Sequence, residues 1–345
     1  MNNSKAFLDT IVIDELSSTP KYQQLVNLVI DAVKSGILKV GDGMPSINEV
    51  SFTTDMSRLT VEKGYNELRK LGFLVANRGK GYFISNTDIF QDLKILLMFN
   101  KLSTHKKIIY DSFVQALGEK ASIDFYVYNN DSKFFCKILG NRKHIYTHYV
   151  IIPHFIEGEE SAYQLINTIP KNKLILVDKL IPGITGNFAS VYENFTKDIY
   201  HALFQATNAL EKYSKLKLIF PENSFYPEEI ITGFKDFCMN FAFENKVVYD
   251  LTNEIIEVGD VYINVMEDDL FELIERIDSN GFLIGTDVGI ISYNETRAKK
   301  YIMNGLTTIS TDFEAMGKTT ARLILDNSKK QIQNPFNIVF RDSLK

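Results

Sequence analysis

The segment Ser57-Arg58-Leu59-Thr60-Val61-Glu62-Lys63 concentrates polar chemistry beside an apolar stripe. Arg58 carries a planar donor fork that matches the O6/N7 edge of guanine, and Thr60 suits a phosphate oxygen or a thymine methyl. Glu62 and Lys63 stand with them, opposite Val61, Tyr65 and Leu68. A second group lies at Asn77-Arg78-Gly79-Lys80-Gly81, where Arg78 and Lys80 sit on a glycine-flexed turn suited to a minor groove or a phosphate backbone. A third is Ser46, which opens a predicted helix whose N–H groups favour an anion. Singly, each of these is an ordinary solvated side chain; their order along the chain carries the reading.

The elements that must position them follow from local patterning. Leu25, Leu28, Val29, Ala32 and Val33 recur at helical spacing within 22–35. Ser46-Ile47-Asn48-Glu49 is a capping box, so a second helix is expected to start at Ser46. Ser57 caps a third helix, which Gly72 stops. Two short strands, 73–76 and 82–85, then flank the Asn77–Gly81 turn. Three helices and a hairpin give the order of a winged helix-turn-helix.

After a linker-like stretch the pattern changes. Apolar runs at 95–99, 123–128, 149–153, 174–178, 216–220, 247–250, 261–265, 282–285 and 290–293 alternate with amphipathic segments at 106–117, 192–213, 227–241 and 270–277. Continuous apolar strands between helices predict parallel sheets covered on both faces, an α/β multi-domain chain with two doubly wound lobes. The expected division is 1–86 for the head, 87–92 for the linker and 93–345 for the body. Ligands of such sheets bind at the carboxyl ends of the strands. By topology the loop 101–110 and Pro153-His154 lie there, which nominates His105 and His154.

Bulk numbers set limits. Of 345 residues, 45% are hydrophobic and 23% charged, which predicts a folded core. Net charge is -5, yet residues 1–86 carry 10 Lys and Arg against 9 Asp and Glu, so a local basic patch is allowed and a basic chain is not. Cys136 and Cys238 are too few for a disulfide framework and suit a reducing cytoplasm. No apolar run is long enough to cross a bilayer and no signal core opens the chain. Enzyme signatures fail. Gly317-Lys318-Thr319 ends like a phosphate loop, but its first glycine would be Asp312. His144 and His148 lack the partners of a zinc site, and no nucleophile elbow occurs. No metal, cofactor or catalytic residue is expected.

The head resembles the DNA-binding domain of the GntR family. The matching pieces are Pro20-Lys21-Tyr22, Gly36, Gly41-Asp42, Met44-Pro45-Ser46, Ser57-Arg58, Thr60-Val61, Tyr65, Leu68, Gly72-Phe73 and Gly79-Lys80-Gly81-Tyr82-Phe83. The resemblance implies double-stranded operator DNA as partner, with Arg58 and Thr60 on the recognition helix and Arg78, Gly79 and Lys80 in the wing. Asn48 and Glu62 depart from it, standing where relatives can carry arginine.

Residues 281–327 resemble the closing section of the lactose-repressor family's sensor. Leu174–Gly183 matches its strand followed by D-x-x-I-P-G, and Ile230–Asp236 matches its G-F-x-D helix. This implies a periplasmic-binding-protein-like fold, a homodimer and a small-molecule effector, with a monosaccharide favoured. Carried over by motif, effector contacts fall on Asp178, Lys179, Asp268, Asn294 and the apolar wall at Phe313. Asn294 replaces an aspartate and Asp268 an asparagine, which exchanges donor and acceptor capacity. A clamping arginine has no counterpart; Tyr226-Pro227-Glu228-Glu229 stands there instead, so Tyr226 is the aromatic candidate and a neutral sugar is favoured over an acidic ligand. The expected function is a ligand-responsive transcriptional regulator, a repressor in the cytoplasm. The alternatives are a sugar-processing enzyme or sugar-binding protein with a DNA-binding head, and a regulator answering to a nucleoside or a sugar phosphate.

Overall fold

A computed structural model describes residues 3–77, 79–85, 93–140, 146–222 and 226–345. Arg78 and the expected linker 87–92 lie outside the described residues.

The head comprises α1 (Asn3–Leu8), α2 (Lys21–Lys34), α3 (Ile47–Thr54), α4 (Arg58–Lys70), β1 (Leu74–Asn77) and β2 (Gly81–Ile84). The expected caps form. Ser46 accepts from the Glu49 N–H at 3.2 Å while the Glu49 carboxylate accepts from the Ser46 N–H at 2.7 Å. Its core is the predicted stripe, with Val61, Tyr65 and Leu68 of α4 packed among Leu25, Val26 and Val29 of α2. β1 and β2 pair antiparallel, Asn77 opposite Gly81, around the Gly79 turn.

The chain continues as β3 (Leu93–Phe99), α5 (Thr104–Leu117), β4 (Ala121–Val127), α6 (Ser132–Gly140), β5 (His148–Ile151), α7 (Glu159–Asn167), β6 (Leu174–Asp178) and β7 (Ala189–Tyr192). It then forms α8 (Phe195–Gln205), α9 (Thr207–Leu210), β8 (Lys215–Ile219), α10 (Glu229–Asn240), β9 (Glu244–Val248), β10 (Asp260–Asn264), α11 (Glu267–Ser279), β11 (Gly289–Tyr293), β12 (Thr307–Thr311), α12 (Phe313–Leu325), β13 (Gln331–Gln333) and β14 (Phe336–Val339). Two compact units result. One holds residues 1–190 and 317–330, the head included; the other holds 191–316 and 331–345. The chain therefore passes between the units three times.

In the first unit the strand order is β7-β6-β5-β3-β4, parallel through β6, β5, β3 and β4. In the second it is β14-β12-β11-β10-β8-β9. Both are doubly wound, as expected, with a reversal beside the first strand of each set. Alternate residues of β3 serve opposite faces: Leu96 and Met98 join Phe135, Ile138, Ala162 and Ile166 of α6 and α7. Two expectations are corrected. Residues 282–285 form no strand; Gly281 and Gly285 take positive φ and turn the run back, leaving an isolated bridge from Ile284 to Val288. β14 pairs antiparallel to β12, so the second sheet is mixed.

Glycine lets helices meet where a side chain could not. A Cβ on Gly233 of α10 would lie 2.1 Å from the Thr196 carbonyl oxygen of α8, and one on Gly317 would lie 2.1 Å from Ser112 Oγ of α5. Gly233→Ala must push backbone apart, and a loss of about 2 kcal/mol or more is expected in chemical denaturation. Gly140→Ala, at the open end of α6 with nothing within 4 Å, is expected to be neutral or stabilising by up to about 1 kcal/mol. Equal effects of the two would refute the close approach.

Candidate nucleic-acid interface and ligand-binding residues

The N-terminus of α3, the expected anion seat, differs from that of α4. At α3 the Glu49 carboxylate caps the N-terminus, and its hydrogen bonds to Ser46 hold it below the usual carboxylate range. The helix dipole there is already complemented, so Ser46 has only its hydroxyl proton to offer a phosphate. At α4 no acidic residue stands in the first turn. Ser57 caps it by accepting from the Thr60 N–H at 3.2 Å, and the Ser57 and Thr60 hydroxyls lie 2.8 Å apart. Arg58 is exposed at the first helical position. Tyr65 fixes the relation of the two helices: its buried hydroxyl donates to the Pro45 carbonyl at 2.7 Å, just before the α3 cap.

In the wing, Gly79 and Gly81 take φ +74° and +94°, and Lys80 donates its N–H to Asn77 O at 2.9 Å, leaving its side chain exposed. The Lys63 Nζ lies 3.9 Å from the centroid of the Tyr22 ring. Sequence reasoning passed over Leu59, which is 78% exposed next to Arg58. Its signal was available, since it falls off the Val61–Tyr65–Leu68 stripe.

In the first unit, Asp178 ends β6 in the left-handed region at φ +77°. A non-glycine residue held there is strained, a condition common at binding sites. His154 Nε2 lies 2.9 Å from Asp178 Oδ2, and Lys106 Nζ ion-pairs with the same oxygen. All three side chains are buried or nearly so. Tyr128 holds the His154 loop, accepting the His154 N–H at 3.1 Å and donating to the Ile152 carbonyl. Lys101 is half-buried near this group; burial, then the Lys106 charge, lowers its pKa. His105 sits in the first turn of α5 beside Lys106, and Lys179 follows Asp178 half-buried. Lys106 was missed because a lysine in an amphipathic helix reads as solvent-facing.

In the second unit, Asn294 follows β11 at φ +65°, and its Nδ2 donates to the Tyr226 hydroxyl at 2.9 Å. These two predicted residues are brought together. The buried Lys299 ammonium donates to the carbonyls of Tyr293 and Asn294 at 2.8 and 2.7 Å, and burial pushes its pKa down to about 8. Phe313 is half-buried at the start of α12. Asp268 is exposed in the first turn of α11, and no hydrogen bond joins it to Tyr226 or Asn294 among the described residues. At the end of β10 stands Asn264 instead, fully buried, its Oδ1 without a hydrogen-bond partner among the described residues. No cluster of metal-ligating side chains occurs among the described residues, and no described helix is long and apolar enough to cross a membrane.

A winged helix-turn-helix joined to two doubly wound sheets is the layout of a transcription regulator. The chain belongs to the family of HTH-type transcriptional regulators represented by the repressor YtrA of Bacillus subtilis, to which it is 32% identical over 106 residues, 31% of this chain and 78% of YtrA. It is 34% identical over 77 residues to the uncharacterized regulator YurK of Bacillus subtilis and 36% identical over 69 residues to GgaR of Escherichia coli, spanning only 32% and 28% of their lengths. No protein-family model matches. Among solved structures, the Lac repressor bound to ONPG superposes with TM-score 0.60 at 16% identity over 82% of this chain and 90% of that one. A transcription-regulator-like protein from Staphylococcus haemolyticus gives TM-score 0.58 at 16% identity, over 73% and 98%. The body thus has the Lac repressor's fold.

The buried pair is testable. Lys106→Met strands the Asp178 carboxylate and is expected to cost about 3 kcal/mol in urea unfolding, with much of the loss recovered in Lys106→Met/Asp178→Asn. A single variant as stable as the wild type would show that no such pair forms.

Proposed function

We propose that this protein is a GntR-type, dimeric, operator-binding repressor controlled by a small neutral sugar bound at strand ends of its body. The observation that carries the DNA reading is the first turn of α4, where exposed Arg58 and half-buried Thr60 stand at a helix N-terminus with no acidic side chain in its first turn. Leu59 adds an apolar contact suited to a thymine methyl. Ser57 orders the turn, Gly79 and Lys80 present the wing, and Arg78, outside the described residues, joins them. Support comes also from the YtrA relationship and from the Lac repressor dimer bound to operator and the anti-inducer ONPF, which shares this fold at TM-score 0.59 and 15% identity over 73% of this chain and 94% of that one.

The sugar reading rests on paired donor and acceptor groups: Asp178 with His154 in one unit, Asn294 with Tyr226 in the other. His105, Lys179, Phe313 and Asp268 are further candidates, and the exposure of Asp268 makes it the weakest. A carboxylated or phosphorylated sugar is the second reading, because Lys101 and Lys106 flank Asp178.

Selection from a random duplex library is expected to enrich a two-fold symmetric sequence, and Arg58→Ala to lose that preference without loss of thermal stability. A wild-type protein that enriches nothing would end the DNA reading. In a thermal-shift screen of neutral monosaccharides, uronates and sugar phosphates, a true effector at 100 times its Kd adds about 2.7 kcal/mol. Stabilisation only by the charged sugars would replace the first reading with the second, and turnover of the stabilising sugar would replace both with an enzyme.

A further inference from the structure

β4 is the end strand of the first unit's sheet, so one side of its backbone has no strand to pair with. The head fills that edge. The N–H groups of Ser18 and Thr19 donate to Phe125 O at 2.7 and 3.1 Å, and the Phe125 N–H donates to Thr19 Oγ1 at 2.6 Å. On either side the attachment continues. Tyr126 donates its hydroxyl to Asp14 at 2.7 Å, and Asn27 Nδ2 lies 3.2 Å from Asp124 Oδ1, while Tyr146 holds the other oxygen of Asp124 at 2.8 Å. Lys94 of β3 ion-pairs with Asp31 of α2.

The same arm is braced from behind. Gln24 of α2 accepts the Asp14 N–H at 2.9 Å and donates to the carbonyls of Thr19 and Asp14 at 2.9 and 3.2 Å. Thr19, Gln24 and Asn27 are all buried. Residues 14–19 are thus hydrogen-bonded on one face to the helix that backs α4 and on the other to a sheet edge of the lobe. A head joined to a lobe by one covalent connection can reorient about it. A head also fastened through α2 and the arm cannot do so without breaking buried hydrogen bonds, each a net loss of stability.

We propose that Thr19, Gln24, Asn27 and Asp14 are positioning residues that set the spacing of operator half-sites, although none of them touches DNA. The inference rests on the DNA-binding reading above. Two heads held rigidly on their lobes accept half-sites at one separation along the duplex, because each base pair added also rotates the second site about the helix axis. Heads released from β4 tolerate several separations.

The test uses the full chain in two measurements. Duplex selection with a random spacer between half-sites is run on wild type, Thr19→Val/Asn27→Leu, Asp14→Ala and Thr19→Ser. Wild type and Thr19→Ser, which keeps the hydroxyl acceptor, are expected to enrich one spacer length. The double variant is expected to enrich the same half-site over two or more lengths, with Asp14→Ala between them. Hydrogen exchange supplies a readout without DNA: the Phe125 amide is expected to be slowed roughly 100-fold or more in wild type and to lose most of that protection in the double variant. One shared spacer length in wild type and double variant overturns the proposal, as does an unprotected Phe125 amide in wild type. Failure of the wild type to enrich any sequence overturns the DNA-binding reading instead, and the spacing role with it. If the double variant does not fold, Asp14→Ala decides alone.

Discussion

Parallel strands covered by helices on both faces leave only their carboxyl ends and their outer edges for anything else to touch. That constraint organises this molecule. Leu96, Met98, Leu174 and Leu176 are spent on packing, as are Leu216, Leu218, Val261 and Ile263 in the other unit. Chemistry is displaced to the last residue of a strand or the loop just behind it, where Asp178, His154, Asn264 and Asn294 stand. The outer edge of β4 holds the head. Helix α4 obeys the same logic on a smaller scale, since Val61, Tyr65 and Leu68 are buried and only the first turn and the opposite face remain.

The two units solve one local problem in the same way. Each places a non-glycine residue in the left-handed region at a strand end, Asp178 in one and Asn294 in the other. Each then secures it with a buried lysine. Lys106 binds the Asp178 carboxylate, whereas Lys299 binds the main-chain carbonyls of Tyr293 and Asn294. The difference has chemical weight. In the first unit the side chain itself is partly neutralised; in the second the backbone is held, and the amide of Asn294 is oriented by Tyr226. One strand end therefore presents a carboxylate and the other a side-chain amide.

Much of the head was legible because its signals are local. The capping box at Ser46, the Ser57 cap and the hairpin glycines each lie within a few residues of what they control. The long buried strands were legible from their apolar runs. Short strands were not: β7, β13 and β14 carry little hydrophobic pattern of their own. The run 282–285 misled in the opposite sense, apolar enough for a strand but bounded by glycines that the backbone uses to turn. At the sites, residues picked by motif found partners when those partners were near a strand end, as Asn294 did. Lys106 and Lys299 escaped notice because a buried lysine has no sequence signature; its burial is decided by groups far along the chain. The attachment of the arm to β4 is more remote still, with Thr19 and Phe125 separated by 106 positions.

The threefold passage of the chain between units also sets an order of assembly. The second unit's main segment, 191–316, is interposed in the chain of the first. Gly317 sits against Ile109 and Ser112 of α5, in a groove too tight for any side chain. During synthesis that groove is built early and its occupant arrives about 200 residues later, on the order of 10–40 s at ordinary elongation rates. Over the later part of that interval, from Tyr192 onward, the head and the first five strands of its lobe must persist without the helix that closes them. The buried Lys106–Asp178 pair and the fastening along β4 are the contacts already complete by then, so the unit begun first is also the one that waits longest to be finished.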